Sequence, residues 1–423
     1  MPRRTSPLPA PAARSFLVAL GAVAALCTVL GAGAGADAAD QQGATSRVGS
    51  NARSVALFGD GADVQVATGV MGTRPHKSAV LALPNVPFAT AVNPVGGKGG
   101  LLCDGSDHIY PVTGLRTTPG MSGNSIDGSA YGGEGGATYR FLCYGVAMRG
   151  SVALATGDSQ GLLQVVRRNG GWRADARVQF PGVNDAGQPH VPGWIPFPDS
   201  SSVATVFNSV AIAPRPMANG RRLAVAIDRE DHTVVVVGGV GTATPHVLGS
   251  LSAAGLDNTV ADQGTGGLAF LPSSPDRAVL TTTTGFAVLN RHKPSEPRLR
   301  VRTTVGDGSG PPSAITVSSD SDHLAVAAGG RIYGYRNVLG AVRHGRPFRK
   351  QTSFEINASE TVGDLAYTGN DTLVVLHGDP VTAADWFLTL VDKVPLGHHA
   401  VRGSISTTKP SWASGTLSVW PGP

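Results

Sequence analysis

The chain has 423 residues, 15% of them charged, with a formal net charge of +5, 57 glycines and 30 prolines. Its charges are interspersed without a basic block, which argues against a nucleic-acid binder, whose cations cluster on one face. Glycine and proline at this density mark many closed turns, and no long amphipathic helical period is present.

The N-terminus reads as an export signal. Arg3, Arg4 and Arg14 give a basic start, Phe16 to Leu30 an apolar stretch, and Ala36 and Ala38 small-residue cleavage points. Residues 1–38 are expected to be removed and residues 39–52 to form a flexible mature N-terminus ahead of one domain spanning 53–423. The apolar run is short for a membrane span of about 20 residues. Leu26 stands where a lipobox ahead of Cys27 would need a small residue. The expected product is secreted, extracellular or held at the cell envelope, monomeric, and without a membrane span after cleavage. Loss of Arg3, Arg4 and Arg14 takes the net charge from +5 to near +2. Arginine in excess of lysine, with abundant alanine and glycine, points to a GC-rich, actinobacterial source.

Short β-branched runs follow along the chain, each bounded by turn residues: Val64 to Val66, Leu163 to Val166, Val234 to Val237, Phe286 to Leu289 and Leu373 to Leu376. Only Cys103 and Cys143 remain beyond the signal, and two cysteines in an exported chain point to a disulfide. Closing that loop would stabilise the fold by about 3–4 kcal/mol on the chain-entropy model.

A phrase recurs: an apolar-alanine-apolar triplet, a turn, then a second apolar run. It is clearest at Val210 to Pro214 followed by Leu223 to Ala226, and returns at Leu268 to Pro272 and at Ala314 to Val317. Seven copies centre on Ala56, Ala91, Ala147, Ala211, Ala269, Ala314 and Ala366. Self-similarity at this period marks a repeat architecture. Each repeat has room for four strands, which predicts an all-β fold, a β-propeller of seven four-stranded blades. The alanines fit strands crowded near the axis. Thr416 to Trp420 forms a last strand signal, so the N- and C-terminal strands are expected to share one blade and leave no open edge. The short first interval, Ala56 to Ala91, leaves six or eight blades as the alternative.

The phrase at 210–226, with Asn219-Gly220 at its turn and Thr233 to Val237 beyond Asp228, resembles the YVTN/lactonase-type propeller repeat. The resemblance implies the fold alone, since this repeat serves surface proteins, binding proteins, lactonases and lyases.

Propeller geometry places the usual ligand site where chains lead into first strands and where second strands turn into third strands. Residues just ahead of first strands there are Arg53, Tyr144, Asn208 and Asp364. Two long insertions, 113–140 and 182–207, lead to first strands, the second carrying His190, Trp194 and Phe197. Long ordered loops are often functional. The second-to-third loops carry acids, Asp104, Asp107, Asp158, Asp228, Glu230, Asp231 and Asp379. They could converge on a divalent cation, although aspartate is also simply a good turn former. There is no metalloprotease helix motif, nucleophile elbow or sialidase Asp box. The expectation is a non-catalytic binding or interaction protein without a required cofactor, its partner a protein, glycan or small molecule held at the channel mouth or by the two insertions. Residues assigned to binding are Arg53, Tyr144, Asn208, Asp364, His190, Trp194 and Asp228. The alternative is a metal-assisted propeller enzyme of lactonase or lyase type.

Overall fold

Alternating small and β-branched residues set the strand period, and in the computed structural model nearly every such run forms one strand of an antiparallel blade. The structure describes residues 54–72, 74–128, 142–156, 161–182, 189–197, 207–228, 233–252, 267–290, 295–305, 312–382, 384–394, 399–410 and 417–422.

The chain begins with β1 (Val55–Asp60), β2 (Asp63–Thr68) and β3 (His76–Leu81), three strands of an incomplete blade. The second blade runs outward through β4 (Ala89–Val92), β5 (Gly99–Cys103) and β6 (His108–Thr113). Its outer strand comes in two pieces, β7 (Gly120–Met121) and β8 (Ile126–Asp127), both paired with β6. The third blade repeats this design. Strands β9 (Gly145–Arg149), β10 (Val152–Thr156) and β11 (Gly161–Arg168) are edged by β12 (Gly171–Ala174) and β13 (Trp194–Pro196).

The fourth blade is β14 (Phe207–Ile212), β15 (Leu223–Asp228), β16 (Thr233–Gly238) and β17 (His246–Ser252). The fifth is β18 (Leu268–Leu271), β19 (Ser274–Thr282), β20 (Gly285–Asn290) and β21 (Arg298–Thr304). The sixth is β22 (Pro312–Val317), β23 (His323–Ala328) and β24 (Arg331–Arg336), then a short helix α1 (Val338–His344) and β25 (Arg349–Glu355). The seventh is β26 (Thr361–Tyr367), β27 (Leu373–Gly378), β28 (Trp386–Asp392) and β29 (Ala400–Thr407). Last, β30 (Ser418–Trp420) pairs with β1, matching Val55 with Trp420, Ala56 with Val419 and Leu57 with Ser418. The protein is therefore a seven-bladed β-propeller, closed by pairing its two ends.

The seam corrects one detail of the repeat. Alanines 91, 147, 211, 269, 314 and 366 lie on the innermost strands β4, β9, β14, β18, β22 and β26, whereas Ala56 lies on β1, the second strand of its blade. The seventh innermost strand is β30, which carries no alanine. From Ala56 to Ala91 the chain thus lacks one strand of a full repeat, and the short interval reflects the seam rather than a different blade number. Crowding between inner strands is direct: a Cβ on Gly267 would lie 2.9 Å from the backbone nitrogen of Ile315 in the next blade.

Apolar side chains pack between blades. Each of the seven blade interfaces has its own cluster. Helix α1 adds Val338, Ala341 and Val342 to the cluster between blades five and six.

The seam is reinforced by polar contacts. Thr90 and Ser418 join their hydroxyls at 2.9 Å in the interior. Asp60, at the end of β1, accepts from the backbone and hydroxyl of Thr408 and from Lys77. Burial opposes ionisation of Asp60, but these donors outweigh it and bring its carboxyl down to about 2.

Candidate functional site

Of the seven residues assigned to binding, the structure describes the side chains of Tyr144, His190, Trp194 and Asp364. Arg53 lies outside the described residues. The strand it precedes, β1, starts on the face of the first-to-second turns, opposite the mouth. Asn208 and Asp228 sit on β14 and β15, Asn208 at an irregularity between the paired residues Phe207 and Ser209; their side chains lie outside the described set. Tyr144 is 9% exposed and meets Phe88 edge-on at 5.1 Å. Asp364 is 3% exposed, its carboxylate accepting from the backbone of Leu365 at 2.8 Å and of Leu417 at 3.2 Å. That second bond ties the seventh blade to the chain leading into β30. Asp364 thus braces the seam.

The two insertions are partly strand. Within 113–140, β7 and β8 edge the second blade, and residues 129–141 lie outside the described set. Within 182–207, β13 continues the outer edge of the third blade, and residues 183–188 and 198–206 lie outside it. Trp194 and Phe197 turn inward at 4% and 5% exposure. Trp194 packs where a Cβ on Gly161 would meet its ring at 2.6 Å, which is why glycine stands there. His190 is half-buried just ahead of β13.

On the mouth face, the loop after β5 carries Asp104 and Asp107. Asp104 is 1% exposed and accepts from the backbone and hydroxyl of Ser106, closing a turn. Asp107 meets Nδ1 of His108 at 2.6 Å. Ligand atoms of Asp107, His108 and Asp127 all lie within 4.8 Å of one another, a spacing that could hold a metal ion. Burial, with the charges of Asp104 and Asp107, pushes the Tyr110 phenol above its ordinary pKa of 10.0. The disulfide Cys103–Cys143 joins the end of β5 to the chain leading into β9, across 5.3 Å between Cα atoms. Asp379 closes its own loop by accepting from the backbone of Val381 at 2.7 Å. Asp158, Glu230 and Asp231 lie outside the described residues.

The opposite face holds a cavity of about 680 Å³ between the second and third blades. Three cations line it: Lys98 from the first-to-second turn, Arg116 from the turn after β6, and Arg167 from β11. Val112, Met148 and Trp172 supply its apolar wall, and no carboxylate is among its described lining residues. Asn93 stitches the two blades at this point, donating to the carbonyl of Gly150 at 2.9 Å and accepting its backbone N–H at 3.1 Å. The guanidinium of Arg116 sits 4.8 Å from the Trp420 ring and donates from Nη1 to the carbonyl of Gly96 at 3.1 Å. Its Nε is buried without an acceptor among the described residues. The positive φ of Gly97 and its contact with Trp420, whose ring a Cβ would meet at 2.2 Å, hold that indole in place.

A polar chain crosses the seventh blade. Nδ1 of His377 lies 2.5 Å from the Glu360 carboxylate, and Nε2 lies 2.7 Å from the Thr389 hydroxyl, which meets Ser404 at 2.8 Å. A carboxylate can only accept, so Nδ1 donates and Nε2 of the neutral ring accepts from Thr389. Burial holds the imidazole below its ordinary pKa of 6.5, against the opposing pull of Glu360. One basic cluster also emerges, where Arg336, Arg343, Arg346, Arg349 and Lys350 are all exposed around α1.

No protein-family model and no curated protein matches the chain by sequence. Solved structures do match in shape. A candidate 6-phosphogluconolactonase from Bacteroides fragilis superposes with a TM-score of 0.59 at 10% identity, covering 89% of this chain and 99% of its own. A candidate 6-phosphogluconolactonase from Bacteroides uniformis gives 0.57 at 12% identity, covering 87% and 99%. The β-propeller domain of Cps50 (Swd1) from Myceliophteria thermophila gives 0.52 at 10% identity, covering 77% and 87%. At such identities the likeness shows the fold alone: the chain is similar to these proteins in being a β-propeller.

Proposed function

We propose that the chain is an exported propeller of the YVTN repeat type that binds a small ligand without transforming it, in the cleft between the second and third blades. The observation that carries this reading is the cavity itself: about 680 Å³, within the range of about 300–1,000 Å³ of ligand sites, with polar groups converging on an apolar wall. The Cys103–Cys143 disulfide supports export, because such bonds persist in oxidising compartments. Thr117 lies exposed at the cleft rim. In a thermal-shift screen of metabolites, compounds that raise the melting midpoint of the wild type should lose most of that effect for Thr117→Trp, whose indole would obstruct the cleft rim. Shifts that persist in Thr117→Trp but vanish with Asp127→Asn would move the site to the mouth face.

A second reading rests on Asp107, His108 and Asp127. Two carboxylates and an imidazole suit a divalent cation of the borderline type and would serve a metal-assisted hydrolase or lyase. Stoichiometric metal in the purified protein, lost in Asp127→Asn together with lactone hydrolysis, would favour it.

A further inference from the structure

We infer that the cleft between the second and third blades takes a small anionic ligand, a carboxylate or phosphate monoester carried on an apolar or aromatic body. The inference deepens the binding reading and rests on it. Lys98, Arg116 and Arg167 come from three separate turns and strands and line one cavity without a carboxylate among its lining residues. None of the three forms an ion pair among the described residues. Like charges facing one cavity repel, and the repulsion grows as water leaves. A bound anion reverses its sign.

Arg116 is the anchor. Its guanidinium lies over the Trp420 ring, 4.8 Å from the centroid, and donates to the Gly96 carbonyl, so little side-chain freedom remains to be lost on binding. Its Nε is a buried donor with no acceptor among the described residues, and a planar donor fork suits a carboxylate or phosphate. Lys98 and Arg167 are exposed at the rim and supply attraction rather than shape. Val112 and Met148 are nearly fully buried and Trp172 half-buried, giving the non-ionic part of the ligand an apolar and aromatic seat. An inorganic anion would leave that seat unfilled, and a neutral aromatic would leave the three cations unanswered.

The probes are phenyl phosphate, benzoate, inorganic phosphate and benzyl alcohol, titrated calorimetrically into the wild type and into Lys98→Gln and Arg167→Gln. Both substituted positions are exposed, so the variants should keep the wild-type melting midpoint. Phenyl phosphate or benzoate should bind at least about tenfold more tightly than benzyl alcohol, and phenyl phosphate more tightly than inorganic phosphate. Each variant should weaken the bound anion by about tenfold and leave benzyl alcohol unchanged. Whether benzoate or phenyl phosphate binds better identifies the head group. Benzyl alcohol binding as well as the anions would overturn the inference while leaving a neutral-ligand cleft standing. Absence of binding by both aromatic anions at millimolar concentration would overturn it as well, and so would anion affinity unchanged in both variants.

Discussion

His377 shows how a single side chain makes the fold sensitive to pH. It is 3% exposed, donates to Glu360 and accepts from Thr389. Burial holds its pKa below 6.5, so below that pH the unfolded chain takes up a proton that the native ring resists. Stability is therefore full above about 6.5 and falls as the pH drops through 6.5 towards the lowered native value. Replacement by glutamine should cost about 1–3 kcal/mol at pH 7. It should also flatten the decline in melting midpoint between pH 7 and pH 5, measured by calorimetry. A variant with the same pH slope as the wild type would remove His377 as the cause. Nothing in the sequence marks this residue: Glu360 and Thr389 reach it only because β26, β27 and β28 lie side by side. Asp364 has the opposite history. Its position ahead of an apolar run suggested a ligand at the mouth; its carboxylate accepts backbone N–H groups from Leu365 and Leu417.

At the level of strands, the repeated triplet was a sound guide with one ambiguity. First and second strands of a blade are both buried on both faces, so both take alanine. Ala224 and Ala226 on β15, and Ala325 and Ala327 on β23, are as buried as the triplet alanines themselves. For that reason Ala56 on β1 could stand as a first-strand copy. The outer strands were harder. Strand β13 has three residues, set among prolines and far along the chain from its partner β11, so no local period announces it. The seam strand was legible in the run from Thr416 to Trp420, and its contribution can be tested. Deletion of residues 411–423 removes the partner of β1, exposes the cluster around Val419 and frees Thr90, Arg116 and Asp364 of their contacts. The truncated chain should fail to fold cooperatively or melt at least about 10 °C lower. A midpoint within error of the full chain would contradict closure by β30.

The whole ring explains why the cleft could not be found by reading along the chain. Lys98, Arg116 and Arg167 are dispersed in sequence, and only the packing of the second blade against the third puts them around one space. Their interspersion along the sequence argued only against a nucleic-acid binder. Among the described residues, the mouth face favoured on propeller geometry carries seam braces, closed turns and the Asp107–His108–Asp127 group. The ring also couples its closure to the cleft, because the indole that braces Arg116 belongs to the last strand. The most direct test is a crystal structure of the protein grown with phenyl phosphate. The account predicts the phosphate within hydrogen-bonding reach of Arg116, with the phenyl ring against Trp172. Density for the compound at the mouth face beside His108, with the cleft holding only water, would contradict it.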